Sequence, residues 1–322
     1  MPIETRATSE ASADLILGMA TGYRASDIAP FVRSLHPSGY RGRCRIVVNP
    51  QDTDAQRLLA AHGVETVIVG APYRWLWETA RRARLGRGVT RALEFVALRA
   101  LQPFGRSSLR PSAMRLYRRL APVHPTALRY FIYLEQLLEA QQAGVRRVLL
   151  ADTRDLIFQR DPFDGAPNRG LVGFLEERTE SIGSSDVNAI WMRACYGEAE
   201  LAALADRPIF CSGTILGERD AMVSYLRVLT SEIAAVAGRR FVSPSGFDQA
   251  CHNHLLHHEA VPFTALENGA SPVMHLSLRP AERLRFSAAG ELLNDDGGVV
   301  AMVHQWDRHP DRFRAIIDRL LV

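Results

Sequence analysis

The sequence predicts an α/β fold with a mixed, mostly parallel central sheet and a helical insertion. Up to about residue 70, apolar runs alternate with segments of helical periodicity, which is the pattern of β-α-β units. This alternation stops at about residue 73 and resumes after residue 123. The apolar run at 146–151 then ends abruptly in Asp152 and Asp155. Because ligands bind at the carboxyl ends of strands in such sheets, this run also predicts the place of a binding site.

The early elements follow from their apolar spacing. Residues 15–19, 45–48 and 65–69 are short apolar runs, and we expect them to be strands. Residues 26–35 and 54–62 have helical periodicity and are expected to be helices. Strand and helix thus alternate, which favours parallel strands.

The later elements are predicted in the same way. Further strands are expected at residues 146–151, 171–175, 209–212 and 299–303. Further helices are expected at residues 126–143, 186–196, 220–237 and 247–258. No low-complexity linker or repeat divides the chain, so residues 1–322 are predicted to form a single domain.

The segment at about residues 73–123 is predicted to be an arginine-rich helical insertion. It has helical periodicity, with turn-like interruptions at 86–88, 103–105 and 107–108. Its arginines are expected to attract anions. Two alternatives stay open: a solvated lid whose apolar face packs on the domain, or helices that lie on an anionic membrane.

Composition excludes several classes of protein. All 39 basic residues are arginine, so the chain has no lysine for a Walker-type phosphate loop, a pyridoxal Schiff base or a kinase-type phosphate contact. No transmembrane helix or signal peptide is predicted, and the four scattered cysteines suggest reduced thiols. We expect a cytoplasmic protein, peripheral to the inner face of the membrane if the insertion lies on lipid. No nucleic-acid-binding module is found, so no nucleic-acid partner is expected.

The central motif is the acidic strand end at residues 148–163, VLLADTRDLIFQRDPF. Asp152 and Asp155 are close enough in sequence to share a hard divalent cation such as Mg²⁺ or Mn²⁺, which prefers oxygen ligands. Such a cation neutralises a diphosphate bound beside it. A strand-ending turn with a capping aspartate is the alternative explanation.

Three other segments join apolar runs to residues suited to a binding site. His304 follows the apolar run at 299–303 and is a candidate metal ligand, although a lone histidine there is often structural. Asp248 opens a helix, where it could face a substrate or simply favour the helix N-terminus. The small residues of FCSGTILG, 210–217, allow a close approach of the backbone to a ligand, and a tight turn explains them equally well.

A histidine-rich segment lies in the predicted helix at 247–258. It contains Cys251, His252, His254, His257 and His258, with His254 and His258 one turn apart. No partner pair with metal-ligand spacing occurs elsewhere, so the sequence favours a polar helix face over a zinc site.

In this order, the acidic strand end, FCSGTILG, FDQ and HQWDR resemble motifs of metal-dependent GT-A glycosyltransferases, especially family 8-like and other nucleotide-diphospho-sugar transferase-like enzymes. The acidic turn with RDPF is similar to the DxD motif of these enzymes, and HQWDR is similar to their C-terminal metal-binding histidine. The resemblance covers about residues 14–310. It implies a Rossmann-like GT-A fold and transfer of a sugar from a nucleotide-sugar donor, UDP- or GDP-linked, to a hydroxyl of a glycan or lipid-linked acceptor.

The resemblance also implies a role for each matching residue. Asp155 and His304 are expected to bind Mn²⁺ or Mg²⁺, and Asp152 to bind either the metal or the donor ribose. Two residues separate the aspartates where the motif usually has one, so Thr153 would occupy its first position. Asp248 is the expected catalytic residue near the acceptor. The other expected donor-binding residues are Thr21, Tyr23, Arg129 and Thr153, and the acceptor-side residues are Ser212, Gly213, Gln249 and Trp306.

Two other functions stay open. A haloacid-dehalogenase-type phosphohydrolase also has aspartates after a buried strand, but its D-x-D spacing and usual phosphate-binding lysine are missing here. The second alternative is a catalytically silent protein that binds a sugar or nucleotide. Metal-dependent hydrolysis of a nucleotide sugar would distinguish an active transferase from the silent protein, and release of phosphate from simple phosphomonoesters would indicate the phosphohydrolase.

Overall fold

The secondary structure alternates strands and helices as expected. A computed structural model describes residues 13–70, 87–106, 111–121, 123–139, 144–239 and 246–321. Its strands are β1 (Asp14–Met19), β2 (Arg43–Val48), β3 (Glu65–Ile68), β4 (Arg147–Asp152), β5 (Leu156–Phe158), β6 (Leu171–Leu175), β7 (Phe210–Glu218), β8 (Thr264–Leu266), β9 (Val273–His275), β10 (Arg285–Phe286), β11 (Leu292–Leu293) and β12 (Met302–His304). Its α-helices are α1 (Ala25–Leu35), α2 (Thr53–Ala61), α3 (Arg87–Gly105), α4 (Pro111–Leu120), α5 (Pro125–Leu138), α6 (Asp186–Tyr196), α7 (Glu198–Leu204), α8 (Arg219–Arg239), α9 (Phe247–His257) and α10 (Pro310–Leu321).

Seven strands form the central sheet, in the order β3-β2-β1-β4-β7-β6-β8. β7 runs antiparallel to its neighbours β4 and β6, and the other pairs are parallel. The prediction of an α/β fold with a mixed, mostly parallel sheet is confirmed. Met19 and Asp152 pair at the carboxyl ends of β1 and β4, so the residues that follow these two strands emerge side by side.

A second sheet has three strands in the order β5-β12-β9. β12 is antiparallel to β5 and parallel to β9. In this register His304 lies opposite Leu156 on one side and His275 on the other. The small sheet thereby brings the residue before β5, Asp155, next to the end of β12.

The central sheet is buried on both faces. Leu15 and Leu17 of β1 face a core shared with α5 and α8, whereas Ile16 faces a second core that includes α1. This alternation follows from the two-residue period of a strand. Buried strands at the centre of the sheet give the acidic end of β4 a rigid support.

The described part of the insertion is helical, as predicted, and packs against α8 and α5. The interruption expected at 103–105 is wrong, because α3 continues through it to Gly105. A Cβ on Gly105 would lie 2.6 Å from the Cβ of Ala234 and 2.8 Å from Tyr117, so glycine here permits close helix packing. Residues 73–86, 107–110 and 122 of the predicted insertion lie outside the described residues.

Three other boundaries differ from the predictions. β7 does not end at residue 212 but continues to Glu218, because its small residues pair with β4 and β6. The strand expected from residue 299 begins at Met302, and Val299 instead forms an isolated bridge with Leu293. α5 ends at Leu138, and residues 140–143 of the predicted helix lie outside the described residues.

Among the described residues, α8 alone is long and apolar enough to cross a membrane. Most of its apolar stretch is buried inside the protein, as in a core helix.

Candidate metal centre

Two carboxylates and one imidazole meet where the two sheets join. Asp152 ends β4, Asp155 precedes β5, and His304 ends β12. Nε2 of His304 lies 3.5 Å from Oδ1 of Asp155 and 3.6 Å from Oδ2 of Asp152. The amide of Gln305 donates a 2.7 Å hydrogen bond to the carbonyl of Asp155, which fixes the two chain segments against each other. These three residues form a group that could hold a divalent metal ion.

His304 is buried, and its Nε2 has no hydrogen-bond partner among the described residues. Burial alone would lower the pKa of His304, but the neighbouring Cys211 and the two carboxylates raise it well above its ordinary value. Burial would likewise raise the pKa of Asp152, but the positive charges of Arg129 and His304 hold it well below its ordinary value. A proton on His304 thus occupies the position that a cation would take, and metal binding would displace it.

The spacing of the donor atoms is compatible with a divalent metal ion. When each ligand lies about 2.0–2.2 Å from a cation, adjacent ligand atoms are separated by about 2.8–3.6 Å in octahedral or tetrahedral geometry, and the two distances from Nε2 fall within this range. Carboxylates suit Mg²⁺ and Mn²⁺, whereas imidazole is a ligand of softer transition metals. A buried imidazole nitrogen without a hydrogen bond, directed at two carboxylates, is the observation that supports metal binding.

The sequence reasoning missed His275, which lies behind His304. The Nδ1 atoms of the two rings are 3.0 Å apart, and Nε2 of His275 lies 3.4 Å from Oγ1 of Thr214. Burial, and then the charge of His304, hold the pKa of His275 well below its ordinary value, so its ring is neutral. His275 therefore accepts a hydrogen bond from Nδ1–H of His304, which leaves Nε2 of His304 directed at the carboxylates. The signal was present in the sequence, since VMH and MVH both end an apolar run in histidine.

Cys211 completes the environment of Nδ1 of His304. Its Sγ lies 3.6 Å from that nitrogen, and burial raises the pKa of the thiol to about 11, so it stays protonated at neutral pH. Burial also raises the pKa of the nearby Glu176 to about 6. The interior side of the site thus contains a protonated thiol and a carboxyl group that loses its proton only above about pH 6.

Arg129, from α5, joins Asp152 to the predicted catalytic residue. Its Nη1 donates to Oδ1 of Asp152, and its Nη2 lies 3.3 Å from Oδ2 of Asp248 in the first turn of α9. The same Nη2 also contacts the carbonyl of Ser212 at 3.4 Å. Asp152, Arg129 and Asp248, which are far apart in sequence, thus form one partly buried network.

Gly213 allows β7 to lie against the site. A Cβ at this position would be 2.5 Å from Cε1 of His304 and 2.6 Å from Oδ2 of Asp152. Gly213 lies inside a strand and not in a turn, and it lets the backbone of β7 approach two of the proposed metal ligands.

The predicted donor-side residues lie at the ends of β1 and β4. Tyr23 and Thr21 belong to the turn after β1, which the carboxylate of Asp52 holds by accepting a hydrogen bond from the amide of Gly22. Burial and the charge of Asp152 raise the pKa of Tyr23. Thr153 is buried and donates its hydroxyl proton to the carbonyl of Met19, which ties β4 to β1.

The predicted acceptor-side residues have different surroundings. Gln249 accepts a hydrogen bond from the amide of Ser212 and donates one to the carbonyl of Phe210, so its amide fixes the start of β7. Trp306 follows His304 in a short 3₁₀ helix, and its buried Nε1 has no hydrogen-bond partner among the described residues.

A comparison with models of protein families finds no match to this chain, and a comparison with curated proteins finds none either. The functional inference therefore depends on the residues and on the geometry of the site.

Proposed function

We propose that the protein is a metal-dependent glycosyltransferase that uses a nucleotide-sugar donor. The main support is the convergence of Asp152, Asp155 and Nε2 of His304, with Arg129 beside them. The mixed, mostly parallel central sheet and the helical insertion are compatible with a GT-A fold. Asp155 and His304, with Asp152, would hold Mn²⁺, which we favour over Mg²⁺ because one of the three ligands is an imidazole.

The chemistry follows from the charges of the site. Cleavage of the donor bond leaves negative charge on a nucleoside diphosphate, and a bound divalent cation stabilises that charge as a Lewis acid. Arg129 lies beside Asp152, and its two aspartate partners fix its orientation. A fixed guanidinium stabilises developing negative charge without reorganising during the reaction.

Asp248 is the proposed catalytic group on the acceptor side. It is buried at the start of α9 and is held by Arg129. A carboxylate held in this way can orient an acceptor hydroxyl and accept its proton as the new bond forms. Tyr23, on the turn after β1, is proposed to contact the donor base.

The phosphohydrolase alternative is less well supported. Its chemistry needs an aspartate that is free to attack phosphorus, whereas Oδ1 of Asp152 accepts a hydrogen bond from Arg129 and its Oδ2 faces His304. A catalytically silent binding protein would need the same donor site, so only an activity measurement separates it from a transferase.

The first test is a thermal-shift screen of UDP-, GDP-, CMP- and dTDP-linked sugars, each with and without Mn²⁺. Wild type is compared with Asp155→Ala and with Asp318→Ala, which removes an exposed carboxylate from α10. A donor at 100 times its dissociation constant adds about 2.7 kcal/mol of stability. We expect one nucleotide class to stabilise wild type and Asp318→Ala only when Mn²⁺ is present, and to have no effect on Asp155→Ala.

Hydrolysis of the stabilising donor completes the test. Release of nucleoside diphosphate that requires Mn²⁺ supports a transferase, and binding without release indicates a silent protein. Absence of any nucleotide-dependent shift in folded wild type would refute the proposal, and phosphate release from simple phosphomonoesters would favour the phosphohydrolase.

The acceptor is proposed to be lipid-linked, because α3 has a surface suited to an anionic membrane. Val89, Leu93 and Val96 are 51%, 45% and 62% exposed and recur along one side of this helix. Arg99 and Arg106 are also exposed and form no ion pair with the described residues. Exposed apolar residues next to arginines are typical of helices that bind anionic lipid surfaces.

Co-sedimentation with vesicles tests this surface. We expect binding to phosphatidylglycerol vesicles that salt weakens, little binding to phosphatidylcholine vesicles, and a large loss of binding in Leu93→Glu. The matched control is Ile190→Glu, since Ile190 is 56% exposed on a different helix, α6. Equal binding of the two variants would contradict the assignment of α3.

A further inference from the structure

A second group of metal-ligating side chains lies between α7 and the C-terminal end of α9. Glu200 of α7 faces His254, in the last turn of α9, and His258, which directly follows this helix. Oε1 of Glu200 lies 2.6 Å from Nε2 of His258 and 3.8 Å from Nε2 of His254. One ligand atom from each residue lies within 4.8 Å of the others. This group shares no residue with the centre formed by Asp152, Asp155 and His304.

The surroundings hold His254 in place. Its ring stacks on Tyr196, with centroids 3.9 Å apart and planes 9° apart. Its Nδ1 is buried and has no hydrogen-bond partner among the described residues, while Oε1 of Glu232 lies 4.0 Å away. Glu232, from α8, is thus on the side of the ring opposite to Glu200. A carboxylate in this position is the usual outer partner of a metal-binding histidine.

An ion pair alone does not account for this arrangement. The contact between Glu200 and His258 is a satisfied hydrogen bond, but neither nitrogen of His254 has a comparably close carboxylate. A cation bound through Nε2 of His254 would give that atom a partner and would orient Nδ1–H toward Glu232.

We propose that Glu200, His254 and His258 form a Zn²⁺ site, distinct from the centre at the sheet edge and independent of the proposed glycosyl transfer. Two imidazoles and one carboxylate are a zinc donor set, with water in the remaining position. His258 is 48% exposed, so the site is open to solvent. The ion would link α7 to α9, the helix that carries Asp248 in its first turn.

Equilibrium dialysis of the metal-free protein against Zn²⁺ tests the site. His258→Ala removes a half-exposed ligand with little risk to folding, and His36→Ala removes an exposed histidine of the loop after α1 as the matched control. Besides any Zn²⁺ bound at the sheet edge, we expect one tightly bound Zn²⁺ whose affinity falls in His258→Ala by more than the roughly 10- to 100-fold caused by loss of an outer contact. The same ion should be retained in His36→Ala and in Asp155→Ala.

Glu200→Gln is a second test of the Zn²⁺ site, because it keeps the shape of the side chain and removes its charge. It should also weaken the binding of this Zn²⁺. Unchanged Zn²⁺ stoichiometry and affinity in both His258→Ala and Glu200→Gln would overturn the proposal. Loss of the same ion in Asp155→Ala would also overturn it, since the ion would then belong to the sheet edge.

Discussion

Substitution of Gly213 by alanine tests whether β7 and the two metal-binding strands form one site. The new Cβ would lie 2.5 Å from Cε1 of His304 and 2.6 Å from Oδ2 of Asp152, well inside the 3.4–4 Å of ordinary contact. Neither neighbour can move freely. His304 is fixed by its hydrogen bond with His275, and Asp152 is held by Arg129.

The cost of this overlap has two parts. Overpacking of a rigid site destabilises a protein by about 1–3 kcal/mol, so the melting temperature should fall by a few degrees. The effect on metal binding should be larger in proportion, because ligand distances must stay within about 0.2 Å of their ideal values. His304 or Asp152 would have to move by nearly 1 Å to relieve the overlap, and such a movement takes at least one ligand beyond that range. We therefore expect Gly213→Ala to fold and to lose the stabilisation that Mn²⁺ gives.

Thermal unfolding with and without Mn²⁺ measures both parts. The control is Gly173→Ala in β6, where the nearest atoms to a new Cβ are 3.0–3.3 Å away and all belong to side chains. Gly173→Ala should keep the Mn²⁺-dependent shift. If Gly213→Ala keeps the full shift as well, His304 and Asp152 do not bind one cation and the reasoning fails.

Three further predictions follow from buried hydrogen bonds. His275→Ala should weaken Mn²⁺ binding by about 10- to 100-fold because Nδ1 of His304 loses its acceptor; an unchanged affinity in calorimetry would contradict this role. Burial lowers the pKa of His252 to about 3, so its neutral form stabilises the fold above pH 6.5, and up to about 5 kcal/mol is lost as the pH falls toward 3. The free energy of unfolding should therefore fall less steeply with decreasing pH in His252→Gln than in wild type. An equal pH dependence of the two proteins would refute this. Thr153→Val should cost about 1 kcal/mol in denaturant unfolding because Thr153 no longer donates to Met19, whereas unchanged stability would leave donor binding as its main role.

Local patterns predicted the elements whose signal lies within one segment. β4 and its acidic end were predicted to within one residue, because the apolar run of this strand ends abruptly in carboxylates. β6 and α6 have the predicted bounds. Arg129 and Asp248 were each chosen as site residues, but their contact was not foreseen, since it joins helices that are distant in sequence.

The small sheet could not be predicted in the same way. β5, β9 and β12 have three residues each, too few for a periodic pattern, and β5 pairs with β12 across more than a hundred residues of the chain. His275 was therefore not recognised as the partner of His304. The end of β7 was missed for another reason: serine and glycine are weak strand formers, and pairing with two neighbouring strands outweighs that preference.

The small sheet also affects how the protein can open. In this sheet Asp155 directly precedes β5 and His304 ends the neighbouring β12, whereas Asp152 belongs to the central sheet. A cation held by all three joins two sheets that could otherwise separate by local unfolding, so opening of the smaller one must also release the ion. Amide hydrogen exchange in β5, β9 and β12 should then slow when Mn²⁺ is added, while exchange in β2 and β3 stays unchanged. In that case, the bound ion would determine which part of the fold unfolds first.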